Sequence, residues 1–231
     1  MSKILAVSAH PDDGILFAGG TLAMYASQHH EVYLLDTTRG EGGEVGEPPY
    51  ATKENLGKVR EKEERNAAAA IGVKKVFFLP FIDPDMEIGG IPLPIDVPIE
   101  KFSQAIGKYL SRLQPDLVIT HGSNGEYGHP QHIYTHQAVR KALSETSLKI
   151  AFMTWQAWHE PSQYKRILNK DDPADIIYDT TPWRDAKVKA ALCYQTQHAM
   201  FLRNSGLASV EDMIWNIESF HIVKGPVPIR V

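Results

Sequence analysis

A short apolar segment near the start of the chain runs directly into a cluster of ionisable residues. Residues 4–8 have the pattern of a buried β-strand, and His10-Pro11-Asp12-Asp13 follows at its carboxyl end. In open α/β sheets, ligands bind at the carboxyl ends of the strands. Three titratable side chains within four residues are hard to explain by folding alone. We therefore predict that this turn forms half of a metal site, with the other half later in the chain.

The rest of the chain alternates predicted strands and helices. A strand, a helix and a second strand within residues 4–36 indicate a βαβ unit and hence a parallel sheet. No segment reads as a linker between two domains. Further strands are predicted at 75–79, 115–120, 149–155, 175–179 and 219–223, and helices at 21–28, 52–71, 98–113, 130–143, 181–193 and 209–215.

The composition sets broad limits on function. The 231-residue chain has a formal net charge of -4, which gives no reason to propose nucleic acid or an anionic membrane as a partner. Cys193 is the only cysteine, which excludes disulfides within the chain and argues against zinc–thiolate clusters. No apolar run reaches the roughly 18 residues of a spanning helix, and no signal peptide is recognised. We therefore expect a cytoplasmic protein without a membrane span, and leave a homo-oligomer open.

A second cluster, of histidines, follows the predicted fourth strand. His129, His132 and His136 lie three and four residues apart, where a loop meets a helix that begins at Pro130. Side chains at these spacings share one face of a helix. His132 falls in the first turn, near the sheet edge where the His10 turn also lies. His136 lies one turn deeper and is expected to be structural.

The two clusters together supply the ligands of a catalytic metal site. Such zinc sites use three protein ligands and leave one position for water. His10, Asp13 and His132 form a set of this kind, and Asp12 is then free to hydrogen-bond the water. Because a metal lowers the pKa of bound water to roughly 7, a nearby carboxylate can take its proton. Two histidines and a carboxylate also form the facial triad of non-haem Fe(II) oxygenases, which leaves Fe2+ and that activity as an alternative.

These residues resemble the PIG-L/LmbE family of zinc-dependent N-deacetylases. The family pattern Ala-His-Pro-Asp-Asp-Glu matches residues 9–14, and the pattern Gly-His-Pro-Asp-His matches residues 128–132. The similarity continues through Thr38-Arg39-Gly40-Glu41 and through the charged segment 60–65 with the alanine tract after it. It covers residues 3–140.

The resemblance implies a fold, a reaction and a set of site residues. The fold is α/β, a Rossmann-like three-layer α/β/α arrangement with a mostly parallel sheet, and residues 1–231 are expected to form one deacetylase domain. The reaction removes an N-acetyl group from an N-acetylglucosamine-type sugar conjugate by attack of zinc-bound water. The implied roles are metal ligation by His10, Asp13 and His132, base catalysis by Asp12, oxyanion stabilisation by His129 as an imidazolium, carbonyl polarisation or acid catalysis by Tyr127, and substrate contact by Arg60.

Two residues depart from the family pattern. Gly14 stands where the pattern has Glu, and Gln131 stands where it has Asp. That aspartate normally orients and charges the first histidine, and the loss of such a supporting contact can cost roughly 10–100-fold. Gln131 is expected to hydrogen-bond His129 without stabilising its protonated form as a carboxylate would. A second alternative is therefore a weakened member that keeps the fold and only binds a metal or sugar ligand.

Several of these residues can also have structural roles that involve no catalysis. Asp13 can cap the following helix, His129 can be a simple helix cap, and Tyr127 can be a loop aromatic. Arg60 lies among glutamates and can belong to a surface face of ion pairs.

The long loops are expected to choose the substrate. They span residues 40–50, 80–98 and 158–172, and the proline-rich second loop can equally be a subunit contact. The Gly-rich part of the first loop lacks the ending of a phosphate-binding loop. Trp155 and Trp158 can stack on a sugar ring, although core packing is the more common role of tryptophan.

Overall fold

Short strands and helices alternate along most of the chain. The computed structural model describes residues 1–85, 92–160 and 168–227. The strands are β1 (Lys3–Ser8), β2 (Glu31–Asp36), β3 (Lys75–Phe78), β4 (Leu117–Thr120), β5 (Ala151–Trp155), β6 (Ala157–Trp158), β7 (Asn169–Pro173), β8 (Ile176–Asp179) and β9 (Ile217–Lys224). The helices are α1 (Asp13–Ser27), α2 (Leu56–Ala70), α3 (Ile99–Leu113), α4 (Gly125–Gly128), α5 (Pro130–Ser144), α6 (Arg184–Ala191), α7 (His198–Ser205) and α8 (Val210–Met213).

Seven of these strands form one mostly parallel sheet in the order β3-β2-β1-β4-β5-β9-β8. The first five are parallel to one another, whereas β9 runs antiparallel to both β5 and β8. Ile4 of β1 lies opposite Val32 on one side and Leu117 on the other. Strands β6 and β7 pair with each other in a separate two-stranded sheet. The predicted mostly parallel sheet is confirmed.

Helices cover both faces of the sheet because β1 is apolar on both. Successive strand residues point to opposite faces. Ile4 and Ala6 join a core with side chains of α1, α2 and α6, whereas Leu5 and Val7 join a second core with side chains of α3 and α5. The predicted α/β class, with three layers in an α/β/α order, is therefore confirmed.

Helix α1 is longer than the sequence predicts, since it begins at Asp13 and not at Thr21. Every residue from Asp13 to Tyr25 is buried, so the helix lacks the polar face whose period marks a surface helix. The glycine pair inside it has a packing role. A side chain at Gly20 would overlap the side chain of Thr180.

Other boundaries differ by smaller amounts. Helix α2 begins at Leu56, because the preceding residues form a turn in which the amide of Thr52 donates to Asn55 Oδ1 at 2.8 Å. The helix predicted over 181–193 is a 3-10 turn at Thr181–Trp183 followed by α6. Among the described helices, none combines the length and the hydropathy that crossing a bilayer requires.

The strand order places a crevice beside β1. The chain moves outwards from β1 to β2 and β3, and then returns to the other side of β1 with β4. Ligands of open α/β sheets bind at such a switch point, outside the carboxyl ends of the strands. The loops after β1, β2, β3 and β4 all leave the sheet at this edge, so distant parts of the sequence meet there.

Candidate active site

A cleft of about 810 Å³ opens at the carboxyl edge of the sheet. One wall comes from the turn after β1 and the glycine-rich loop after β2. The other comes from the loop after β3 and the start of α5, and α7 closes the far end. Six of the seven predicted site residues line the cleft, and they are His10, Asp12, Asp13, Arg60, Tyr127 and His129. The seventh, His132, is fully buried and is not part of the lining.

Three buried side chains meet at the base of the cleft. His10 Nδ1 lies 3.2 Å from Asp13 Oδ2, and His132 Nε2 lies 3.4 Å from Asp13 Oδ1. A tetrahedral zinc ion about 2.0–2.1 Å from its ligands separates them by about 3.3–3.4 Å. His132 Nε2 is buried without a hydrogen-bond partner among the described residues. The donor set, its spacing and this unpartnered nitrogen fit a metal ion.

Behind His132 lies Glu126, a carboxylate that sequence reasoning missed. Its Oε2 accepts from His132 Nδ1 at 2.6 Å and from His121 Nδ1 at 2.9 Å. Its Oε1 accepts from Trp155 Nε1 at 3.1 Å and from the amide of Gly122 at 2.9 Å. Burial alone would raise the pKa of Glu126, but the two histidines hold it well below its usual range. Glu126 therefore fixes the ring of His132 with Nε2 facing the cluster.

His121, Glu126 and His132 also form a group of three potential ligands, but hydrogen bonding accounts for it. The amide of Ala9 donates to His121 Nε2 at 2.9 Å, so the ring proton of His121 must sit on Nδ1 and point at Glu126. An N–H at that position leaves no lone pair for a metal. The group made by His10, Asp13 and His132 is the better cation site.

The turn at Asp12 has an unusual backbone. Its φ of 104° is rare for a residue with a side chain and costs about 1–3 kcal/mol. Arg60 Nη2 donates to Asp12 Oδ2 at 2.9 Å and to the carbonyl of Pro11 at 2.6 Å. Burial raises the pKa of Asp12, and the opposite effect of the Arg60 guanidinium is smaller, so the pKa is about 8.

Arg60 is buried, so its interpretation as part of a surface ion-pair face is wrong. That role belongs to Glu61, which pairs with Arg39 and Arg65. A side chain at Gly40 or Gly43 would overlap the Arg60 guanidinium, which explains why this loop is rich in glycine. Arg60 reaches the cleft, but within the described residues its partners are the Asp12 turn and the Gly40 carbonyl.

His129 and Tyr127 stand over the cluster from the β4–α5 side. The His129 ring lies 4.3 Å from that of His132 and 5.0 Å from that of His10, and the half-exposed Tyr127 ring lies 5.7 Å from His129. His129 occupies the cap position of α5 but makes no capping side-chain bond. Burial and the neighbouring histidines together lower its pKa to about 2. The site therefore favours neutral imidazole over the imidazolium that the resemblance implies.

Gln131 does not bond to His129 as expected. Its Oε1 lies 3.0 Å from His10 Nε2, and its amide donates to Asp83 Oδ1 at 2.7 Å. Asp83 comes from the loop after β3 and is itself 3.7 Å from His10 Nε2. Burial would lower the pKa of His10, but Asp83 and Asp13 outweigh it and raise the pKa to about 9. Gln131 and Asp83 thus orient the ring of His10, a predicted metal ligand.

Comparisons with known proteins support the same interpretation. A profile of the family described as PIG-L, GlcNAc-PI de-N-acetylase, matches residues 5–143. The chain belongs to this family. The 1D-myo-inositol 2-acetamido-2-deoxy-alpha-D-glucopyranoside deacetylase of Thermobifida fusca is 31% identical, over 99% of this chain and 95% of its own length. The predicted family and the predicted enzyme class, a metal-dependent deacetylase, are thereby confirmed.

Solved structures resemble the fold over its whole extent. The N,N'-diacetylchitobiose deacetylase of Pyrococcus horikoshii superimposes with a TM-score of 0.71 at 21% identity, over 96% of this chain and 84% of the other. The 4-carboxy-2-hydroxymuconate hydratase of Pseudomonas putida does so with a TM-score of 0.68 at 21% identity, over 100% of both chains. At such identities the likeness shows the fold alone, and one fold hosts several reactions.

Other residues of this PIG-L family member have structural roles. Trp155 is fully buried and bonded to Glu126, so it is core and not a sugar-stacking platform. His136 is buried with Nδ1 2.9 Å from the His121 carbonyl, as its structural interpretation requires. Parts of two loops expected to choose the substrate, 86–91 and 161–167, lie outside the described residues.

Proposed function

We propose that this PIG-L family member is a zinc-dependent N-deacetylase that acts on an N-acetylglucosamine-type sugar conjugate. The single observation that carries the proposal is the cluster of His10, Asp13 and His132 at the switch point of the sheet, with Asp12 beside it. These three residues would hold the metal, with another divalent metal such as Fe2+ as the alternative to zinc. When bound there, the metal lowers the pKa of a water ligand and polarises the substrate carbonyl.

Asp12 is the general base in this proposal. Its carboxylate lines the cleft, and its raised pKa of about 8 suits a group that takes a proton and returns it near neutral pH. It accepts a proton from the attacking water and passes it to the departing amine. The reaction consumes one water, breaks the amide C–N bond, and yields acetate and a free amine.

His129 and Tyr127 are the proposed hydrogen-bond donors to the developing oxyanion. His129 Nδ1 is buried without a hydrogen-bond partner among the described residues, so the ring is free to act on a substrate. Its low pKa supports action as a neutral donor. The half-exposed Tyr127 lines the same side of the cleft and adds a phenolic O–H. Donors placed where negative charge develops act on the transition state.

The size of the cleft supports a substrate larger than the acetamide group. Its far end is lined by Glu44, Gln197, Arg203 and Asn204, which are groups that hydrogen-bond hydroxyls, together with Met200. A second ring attached to the amino sugar would lie there. Most of these residues come from α7, beyond the segment that matches the family, and this supports the proposal that the whole chain forms one deacetylase domain.

Acetate release tests the proposal directly. Zinc-loaded protein is incubated with N-acetylglucosaminyl-inositol, di-N-acetylchitobiose and N-acetylglucosamine, and metal content is measured by elemental analysis. Asp13→Ala should lose metal and activity together. Asp12→Ala should keep the metal and lose about 10²–10⁴-fold in kcat.

Three outcomes would contradict it. Full metal-dependent activity in Asp13→Ala would overturn the ligand assignment. No turnover of any substrate above the Asp12→Ala background would favour a member that only binds its ligand. Stoichiometric iron with oxygen uptake on addition of substrate would favour the oxygenase alternative, against which the family membership and the parallel sheet already argue.

A further inference from the structure

Asp12 depends on neighbouring elements for its position. Its backbone is in a region that residues with side chains rarely adopt, and such a conformation persists only where surrounding contacts fix it. On one side its carbonyl accepts from the amides of Ile15 and Leu16, which start helix α1. On the other side, two residues of α2 hold it.

These two residues are one helical turn apart. Arg60 holds the Asp12 carboxylate, as described above, whereas Glu64 Oε2 accepts from the Asp12 backbone amide at 3.0 Å. Residues at this spacing share one helix face. The side chain is thus oriented by one contact and the strained peptide by another.

Glu64 is itself anchored from the last third of the chain. Tyr194, which follows α6 and is fully buried, donates from its hydroxyl to Glu64 Oε2 at 2.6 Å. Glu64 has 1% of its surface exposed, and its other oxygen has no hydrogen-bond partner among the described residues. A buried carboxylate without a cation bonded to it is costly, and the hydrogen bonds from the Asp12 amide and the Tyr194 hydroxyl offset part of this cost.

The residue at position 14 bears on the role of Glu64. It stands where the family pattern has Glu, so the turn after β1 lacks a carboxylate of its own at that position. A Cβ added to Gly14 would make only ordinary contacts, at 3.4 Å from Leu34 Cδ2 and 3.6 Å from Ser8 Oγ, so space does not demand glycine. Glu64 brings a carboxylate to the same turn from α2.

We propose that Glu64, anchored by Tyr194, is a positioning residue that holds the Asp12 peptide in its strained conformation and so aims the general base. The inference rests on the proposed function for the role of Asp12, but the contact itself does not. Glu64 acts through Asp12 and touches no substrate. Loss of Glu64 should lower kcat while KM and metal content stay unchanged.

The test compares Glu64→Leu with Glu64→Gln and Tyr194→Phe in zinc-loaded full-length protein. Glu64→Leu removes the acceptor and should lower kcat about 100-fold, with KM within threefold and one zinc per chain. Glu64→Gln retains an oxygen for the Asp12 amide and should lie within about tenfold of wild type, as should Tyr194→Phe. Glu63→Leu is the matched control, because Glu63 is also buried in α2 but bonds to Thr196 and not to Asp12. Its kcat should stay within threefold.

A double-mutant cycle separates positioning from a general structural effect. In the Asp12→Ala background, Glu64→Leu should have no further effect on kcat. A full 100-fold loss in that background, loss of zinc, or wild-type kcat in Glu64→Leu would each overturn the proposal.

Amide hydrogen exchange provides a readout that needs no substrate. The Asp12 amide should exchange at least tenfold faster in Glu64→Leu than in wild type or in Glu63→Leu, with zinc bound in all three. Unchanged exchange would overturn the positioning role. If the wild-type protein deacetylates none of the substrates but Glu64→Leu still speeds exchange of the Asp12 amide, the proposed function is overturned and the Glu64 contact stands.

Discussion

His132 Nδ1 and Glu126 Oε2 are 2.6 Å apart, and both side chains are fully enclosed. This contact leaves His132 Nε2 facing Asp13 and His10 at the base of the cleft. A histidine that ligates a metal almost always donates its other N–H to such a partner, which fixes the tautomer and makes the ring a stronger ligand. Glu126 serves His132 in this way.

Replacing Glu126 with Gln should weaken metal binding by about 10–100-fold. A neutral amide cannot accept from both His121 and His132 as strongly as a carboxylate does, so the ring of His132 loses its orientation. Competition with a chromophoric chelator measures the metal dissociation constant. Glu145→Gln, an exposed change just after the helix that carries His132, is the control and should leave the constant unchanged. Equal constants for the two variants would refute the role of Glu126.

The sequence predicts those parts of the site that are local. His10, Asp12 and Asp13 are recognisable because one turn at a strand end brings them together, and His132 because a proline-started helix places it at the same edge. Glu126 escapes prediction because its φ of 62° breaks the regular pattern and its partners lie on other elements. Nothing in the local sequence indicates where its carboxylate points.

The contacts that Arg60 and Asp83 make are not predicted from the sequence, for a related reason. The glutamates around Arg60 suggest a solvated face, yet tertiary packing turns Arg60 inwards towards Pro11 and Asp12. Asp83 lies in a proline-rich loop without a periodic pattern, and only the folded chain brings it to Gln131. The fold class depends on strand and helix periods and is therefore predictable, whereas contacts between distant loops are not.

Asp83 should control the proton released when the metal binds. The carboxylates beside His10 raise its pKa to about 9, so in the metal-free protein it is protonated at pH 7.5 and must lose a proton to become a ligand. Asp83→Asn removes one of these carboxylates, lowers the pKa of His10, and should reduce the number of protons released. Calorimetric titration with zinc in two buffers of different ionisation enthalpy measures this number. Asp85→Asn, an exposed neighbour paired with Lys53, should release as many protons as wild type.

Arg60 should set the acid limb of the pH–rate profile. Its guanidinium lowers the pKa of Asp12, so Arg60→Met should raise that pKa and move the acid limb of kcat/KM upwards by about one pH unit or more. The maximal rate should fall as well, because the carboxylate loses its orientation. Arg65→Met is the control, since Arg65 lies on the same helix but bonds to Glu61 and to the Val76 carbonyl and not to Asp12. An acid limb that stays in place would contradict the assigned contact.

Arg203 should matter only for substrates that reach the far end of the cleft. It pairs with Glu44 and lines the cleft next to Asn204. Arg203→Ala should raise KM for N-acetylglucosaminyl-inositol about tenfold, the cost of losing one charge-assisted hydrogen bond, and leave KM for N-acetylglucosamine within twofold. Steady-state kinetics on both substrates checks this. An equal rise in KM for both substrates would show that Arg203 contacts the amino sugar itself.

The metal-free protein should be more stable at pH 6 than at pH 8. Asp12, Glu64 and His10 have pKa values raised to about 8, 7 and 9, and burial also raises the pKa of Asp36, so above about pH 6 the folded protein binds more protons than the unfolded chain. Stability therefore falls as pH rises towards 9. The buried His121, His129 and His136 have lowered pKa values and oppose this trend only up to about pH 7, above which they are neutral in the unfolded chain as well. The carboxylates with lowered pKa values, Asp13 and Glu126, lose their stabilising effect only below about pH 4.

The expected change of stability with pH follows from the number of protons that the folded state holds in excess of the unfolded chain. Each additional proton held by the folded state corresponds to about 1.4 kcal/mol per pH unit, which lowers Tm by about 3–6 °C for a chain of this size. Calorimetric melts from pH 5.5 to 8.5, with and without saturating zinc, measure it. Zinc displaces the proton of His10 and offsets the carboxylate charge, so the melting temperature of the zinc-loaded protein should vary less with pH. A metal-free protein whose Tm rises between pH 6 and pH 8 would show that these groups are not buried together as described.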